Sequence, residues 1–231
     1  MGLKMKGKIA YLTVDDAPSP FMEEKIEFLK EKEIPAIFFC EGRYIKQRTE
    51  IVIKAIKNGF VIGNHSYTHP NFSQLSLSEG KQEIKKTDEL IEDVYEKADK
   101  ERPAKIFRFP YGDAGGRLTS KFQSFLSELD YTKPNFDGIT YDWYEEQGLR
   151  NRVDWFWTFD CKEYEIDGLE AILERIEKDN PEEMQGINCS ASNDIILIHD
   201  HEESREMFKP VINHMLEKGV NFKSPLLKRQ C

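Results

Sequence analysis

Short apolar runs alternate with charged segments of helical period along almost the whole chain. Residues 8–14 form the first run, rich in residues that suit strands. Residues 21–31 then set Phe21, Ile26, Phe28 and Leu29 among Glu and Lys with the spacing of an amphipathic helix. The pattern recurs. Residues 35–40 predict a second strand, 50–58 a helix closed by Gly59, and 60–63 a third strand. Residues 78–100 predict a long charged helix whose narrow apolar stripe is Ile84, Leu90, Ile91, Val94 and Tyr95. Beyond it, 106–111 predicts a strand, 118–129 a helix, 153–159 an aromatic strand and 168–178 a helix. Residues 194–199 predict a strand, 210–218 a helix with Pro210 in its first turn, and 220–222 a last short strand. Residues 131–150 are irregular, aromatic and polar, and read as an insertion with one short strand at most.

Strand–helix alternation repeated about seven times implies an α/β fold with a parallel sheet, since parallel strands need helices over their faces. The strands are apolar throughout, as covering on both faces requires. A barrel and a doubly wound open sheet both satisfy the pattern.

The polar residues fall where each apolar run ends. The first run ends in Asp15-Asp16-Ala17-Pro18, a sequence that predicts the end of the strand, because proline has no donor and aspartate is a poor strand former. Adjacent residues leaving a strand point in opposite directions, so the two acids are expected to do different jobs. An Asp-rich turn is the plainer reading. The third strand ends in Asn64-His65-Ser66-Tyr67-Thr68-His69-Pro70, and the fourth runs through Arg108-Phe109-Pro110-Tyr111. The aromatic strand ends at Asp160 and the 194–199 strand at His199-Asp200-His201. In parallel α/β folds these exits share one rim, where sites are built. Core packing does not require ionisable groups at all of them.

His65 and His69 have metal-ligand spacing, and Pro70 biases them to a compact loop rather than a helix. Two imidazoles and one carboxylate form a known zinc arrangement that leaves a position open to water. One of Asp15 and Asp16 can complete it, leaving the other as a base.

Composition narrows the partners. The chain has 231 residues and no linker or repeat, which predicts one domain over 1–231. A formal charge of −9 disfavours nucleic acid and anionic membranes. No apolar stretch approaches the ~18 residues of a membrane span. The first residues carry the basic charge of a signal peptide without its apolar core, so the expectation is a cytoplasmic protein; a secreted chain with its leader removed reads the same. Cys40, Cys161, Cys189 and Cys231 form no Cys-x-x-Cys pair and are too scattered for a zinc finger or disulfide scaffold.

The motifs Thr13-Val14-Asp15-Asp16-Ala17-Pro18, His65-Ser66-Tyr67-Thr68-His69, Arg108-Phe109-Pro110-Tyr111, Trp157-Thr158-Phe159-Asp160 and Leu197-Ile198-His199 resemble, in order and spacing, the five motifs of polysaccharide deacetylases. This is the NodB-homology group, carbohydrate esterase family 4. The resemblance implies a distorted, incomplete (β/α) barrel of seven or eight parallel strands. It implies a zinc- or cobalt-type divalent ion on Asp16, His65 and His69, and Asp15 as the base acting on metal-activated water. Arg108 would orient the base, the Tyr111 N–H would hold the oxyanion, and His199 would be the general acid with Asp160 in support. The implied substrate is an N-acetylated glycan or oligosaccharide, such as chitin oligosaccharide or peptidoglycan.

The chain departs from the family pattern in places. Val14 and Ala17 stand for an aromatic residue and a glycine, and Ala17 matters where that position needs positive φ. The fourth motif reads Asp160-Cys161-Lys162-Glu163-Tyr164, so Glu163 rivals Asp160 in the supporting role. Residues 131–150 have no counterpart and are expected to shape the substrate cleft. His201 is a rival acid, and His214 reads as structural or exposed. Arg108 could instead pair with a surface acid. Trp143, Trp155 and Trp157 read as stacking platforms or as core. Asn64, Asn71 and Asn188 begin glycosylation sequons, which a cytoplasmic setting makes incidental. A small-amide hydrolase of the same fold and a non-catalytic glycan-binding barrel are the alternative functions.

Overall fold

The computed structural model describes residues 7–166, 168–189 and 191–225, so Cys231 lies outside the described residues. In chain order, β1 (Ile9–Ala17) is followed by α1 (Met22–Glu31), β2 (Ala36–Cys40), α2 (Gly42–Gln47), α3 (Thr49–Lys57) and β3 (Val61–Asn64). Next come α4 (Leu77–Lys97), α5 (Thr119–Glu128), α6 (Asp142–Glu146) and β4 (Phe159–Asp160). The chain continues through α7 (Leu169–Glu177), β5 (Asp194–His199), α8 (Arg205–Glu217) and β6 (Asn221–Phe222).

The sheet is parallel, in the order β3-β2-β1-β5-β4, with β6 against the first residues of β1. Alternate side chains of β1, β2 and β5 face two different cores. Ala10, Leu12, Val14, Phe38, Ile196 and Ile198 pack against the helices. Tyr11, Ile37, Phe39 and Ile195 face the barrel interior, with Phe136, Ile139, Tyr141, Tyr144 and Trp155. Residues 131–150 therefore fill the barrel, and none of them lines the cleft that they were expected to shape. Tyr141 Oη donates to Asp194 Oδ1 at 3.0 Å and fastens this segment to β5. Its one regular helix is α6, where at most a strand was expected.

Six strands are assigned among the described residues, against the seven or eight expected. Residues 106–111 and 153–158, where strands were expected, make only isolated bridges and scattered bonds. Asn64 N donates to Ile106 O at 2.9 Å, Arg108 N to Asn64 O at 3.0 Å, and Trp155 N to Phe107 O at 2.8 Å. A regular ladder is not available to them: Pro110 lacks a donor, Val153 N binds Gln123 Oε1 and Trp155 O accepts from Arg108 Nε. The sheet thus stays open, as a distorted and incomplete barrel.

The helices follow their apolar stripes, with two differences at the starts and one unexpected helix. α4 starts at Leu77 because Ser76 and Glu79 form a capping box, Glu79 N donating to Ser76 Oγ and Ser76 N to Glu79 Oε2. α8 starts at Arg205, so Pro210 sits inside it rather than in its first turn. Burial of Phe208, Val211, Ile212 and Met215 holds that helix despite the missing N–H. α2 was not anticipated.

Candidate active site

β1 does not end at the acids. It continues to Ala17 because a bulge inserts one extra residue: Val14 pairs with Phe38 and Ala17 with Cys40, three steps on β1 against two on β2. Asp16 takes up the insertion at φ 58°. The bulge cancels the alternation that would send the two carboxylates to opposite faces. Asp15 Oδ2 and Asp16 Oδ1 instead lie 3.6 and 3.3 Å from the same atom, His65 Nε2. Positive φ thus falls on Asp16, and Ala17 is an ordinary buried strand residue.

The His65–His69 loop leaves β3 with Ser66 at φ 65° and His69 at φ 59°. Its backbone donors are met one by one. Asn64 Oδ1 accepts from Ser66 N, Ser66 Oγ from His69 N, and Glu83 Oε2 on α4 from Tyr67 N (2.9 Å) and Thr68 N (2.7 Å). Non-glycine residues at positive φ persist where surroundings over-determine them, as at functional sites. The Asn64 sequon is excluded by the same packing, because its side-chain amide is buried and donates to Ile84 O and Tyr131 Oη.

These residues fit a divalent cation. His65 Nδ1 donates to Arg108 O at 2.9 Å, so the neutral ring carries its lone pair on Nε2, toward Asp16 Oδ1. His69 Nε2 lies 3.0 Å from Asp16 Oδ1, which is buried with no hydrogen bond of good geometry. Two imidazole nitrogens and an orphaned carboxylate oxygen lie within 4.8 Å of one another. That donor set suits zinc-type ions with positions left open. Burial opposes ionisation of Asp16, but the hydrogen bond from His201 and the facing imidazoles of His65 and His69 outweigh it and hold the carboxyl well below the usual range. For His65, burial would lower the ring, yet Asp15 and Asp16 raise it.

Arg108 lies behind Asp15, fully buried. Its Nη1 donates to Asp15 Oδ1 and to Thr13 Oγ1, both at 2.7 Å, and its Nε to Trp155 O at 2.8 Å. The guanidinium rests over the Phe39 ring at 4.4 Å. A surface ion pair is therefore not its role. Tyr111 stands at φ 57° in the turn after Pro110, is exposed, and sets its ring edge against His69 at 4.5 Å.

Across the cleft, His199 Nδ1 donates to Glu163 Oε1 at 3.1 Å, and His199 N also donates to that oxygen. Asp160, expected to support His199, is not its hydrogen-bond partner. Asp160 Oδ1 accepts from Lys162 N at 2.9 Å, and burial lifts its carboxyl to about 6. The turn after β4 aims Glu163, three residues on, at the ring. Burial would lower His199, but Glu163, with Asp16 and Asp15 adding, raises it to about 9. Tyr164 packs its ring edge on His199 at 4.5 Å.

His201, the rival acid, lines the cleft, and its Nε2 donates to Asp16 Oδ2 at 2.7 Å. Half-buried His214 pairs with Glu177, a structural contact. Trp155 is core, whereas Trp157 stacks on Phe156 at 4.3 Å and both line the cleft.

Two further groups escaped the sequence reading. Glu41, at the exit of β2, is buried in the cleft wall and takes a salt bridge from Arg43; burial raises its carboxyl. Asp200 is buried and binds Lys25 Nζ, Ser19 N (2.6 Å) and Ser19 Oγ (2.8 Å), tying the β5 exit to the segment after β1. Lys25 was legible as an anomaly, a lysine in the buried stripe Met22, Lys25, Ile26, Leu29.

The cleft has a volume of about 950 Å³ and is lined by Asp15, Asp16, His65, His69, Tyr111, Asp160 and His199, with Arg108 one layer beneath. Fold and site together define an incomplete (β/α) barrel with paired acids and histidines on its strand-exit rim. The chain belongs to the polysaccharide deacetylase family, whose sequence profile matches residues 2–133. This is carbohydrate esterase family 4, a family of metal-dependent hydrolases acting on amide carbon–nitrogen bonds. A peptidoglycan-N-acetylglucosamine deacetylase of Bacillus cereus is 28% identical over 229 residues, covering 94% of this chain and 69% of that protein. A chitooligosaccharide deacetylase of Sinorhizobium fredii is 29% identical over 138 residues, 56% of this chain and 62% of that protein. The crystal structure of a polysaccharide deacetylase from Bacillus cereus superposes with a TM-score of 0.67 at 25% identity, covering 94% and 91% of the two chains.

Proposed function

We propose that this chain is a single catalytic domain that removes acetyl groups from N-acetylated sugars of chitin oligosaccharide or peptidoglycan type. One observation carries the reading: Arg108-bound Asp15 and Glu163-bound His199 face one cleft together with the Asp16, His65 and His69 donors. A carboxylate base held by a guanidinium and an imidazole acid held by a carboxylate, facing one cleft with a cation site, are what amide hydrolysis needs.

Asp16, His65 and His69 would hold zinc, or another divalent ion such as cobalt, which would supply Lewis acidity at the amide carbonyl and acidify water. Asp15 takes a proton from the attacking water, and Arg108 Nη1 holds the carboxylate in place. The backbone N–H of Tyr111 donates to the oxyanion that forms, a contact of a kind worth about 3–4 kcal/mol in other hydrolases. His199, kept protonated by Glu163, gives its proton to the departing nitrogen. The carbon–nitrogen bond breaks, and acetate and a free amino sugar leave. Trp157 and Phe156 offer a flat apolar wall for a sugar ring.

The test is acetate release from a panel of N-acetylglucosamine oligomers and peptidoglycan fragments, beside Asp15→Asn and His199→Ala. Activity that vanishes in both variants supports the reading. Turnover of small amides alone replaces the glycan by a non-sugar substrate. An Asp15→Asn variant as active as wild type removes the role of Asp15.

A further inference from the structure

The two oxygens of Asp16 have different surroundings. Oδ1 is buried without a good hydrogen bond and is faced by His65 Nε2 at 3.3 Å and His69 Nε2 at 3.0 Å. Oδ2 is taken by His201 Nε2 at 2.7 Å, and an ionised carboxylate only accepts, so the imidazole N–H is the donor. We propose that His201 is a positioning residue for the cation site: by holding Oδ2 it turns Oδ1 to the site and leaves Asp16 one coordinating oxygen. This inference rests on the reading of Asp16, His65 and His69 as cation ligands.

His201 is itself well held. Its ring packs on Tyr164 (5.7 Å) and lies beside His199 at 5.4 Å. The preceding residue, Asp200, is locked by Lys25 and Ser19. Its nitrogen is spent on Asp16, so it stands outside the converging donors. A bulge residue at φ 58° needs such a restraint, because the strand ladder does not set its side-chain direction. One-oxygen coordination suits a four-coordinate ion of zinc type and disfavours larger ions that take carboxylates through both oxygens.

The experiment is zinc affinity measured by competition with a chromophoric chelator, for wild type, His201→Phe and His201→Gln. Phenylalanine keeps the ring and loses the donor, whereas the glutamine amide reaches the place of Nε2. The expected result is one zinc per wild-type chain, affinity about 10–100-fold weaker in His201→Phe, and most of it recovered in His201→Gln. The glutamine variant also decides the matter if the phenylalanine variant fails to fold, since it keeps the donor and near-wild-type affinity is expected of it. Unchanged affinity in His201→Phe overturns the positioning role while the cation site stands. Equal loss in both variants makes His201 a ligand and likewise overturns it. A wild type that takes up neither zinc nor cobalt removes the cation site and the inference together.

Discussion

The imidazole of His199 donates Nδ1–H to Glu163 Oε1 at 3.1 Å, inside a pocket where both groups are buried. Glu163 is the main reason that His199 reaches about 9, against a burial effect of opposite sign.

The pH dependence follows. If His199 is the acid, as proposed, its protonated form is the working one, and activity is expected to fall on the alkaline side near pH 9. Glu163→Gln removes the charge and moves that limb toward the ordinary histidine value of about 6.5. Profiles of kcat against pH for both proteins check this; a limb that stays put belongs to another group. The same shift bears on stability. His199 is raised above its unfolded value, so its contribution is full below about pH 6.5 and is lost as pH rises through about 9.

Arg108 and Asp15 form a buried pair at 2.7 Å, and the two partners are expected to fail differently. Asp15→Asn keeps an acceptor for Arg108, so the fold holds while acetate release drops by about 10²–10⁴-fold. Arg108→Met strands a carboxylate and is expected to destabilise the protein by about 3–5 kcal/mol in urea unfolding. A stable Arg108→Met protein would show that Asp15 finds another partner.

Removing divalent ions is expected to abolish acetate release, with zinc or cobalt restoring it in wild type but not in His69→Ala at equal concentration. Dialysis against a chelator followed by metal titration measures this. Full activity after exhaustive chelation speaks against a cation on Asp16, His65 and His69.

Lys25 and Asp200 are buried together, with side chains 3% and 0% exposed. Lys25→Met is expected to lower stability by about 3–5 kcal/mol, because Asp200 is left charged without its cation. Restored stability in Lys25→Met with Asp200→Asn, measured by denaturant midpoint, would assign the loss to that charge.

The core and the rim were legible because they are written locally. Strand β5 was expected at 194–199 and is found there, since Ile-Ile-Leu-Ile between polar residues suits only a fully buried strand. Strand β1 was read three residues too short, because a bulge spreads its extra residue between two strands and leaves no local mark. Residues 131–150 read as an irregular insertion shaping the cleft, yet their aromatics fill the barrel. Composition cannot say which of two apolar surfaces a tyrosine meets.

The sequence by itself determined the α/β alternation and the chemical groups at the strand exits, since both depend on residues within a few positions of each other. Only the tertiary structure decided the pairings. Glu163 rather than Asp160 meets His199 across 36 positions, and His201 meets Asp16 across 185. Such choices turn on a few ångströms and on one positive φ at Asp16, and spacing along a chain does not carry that geometry.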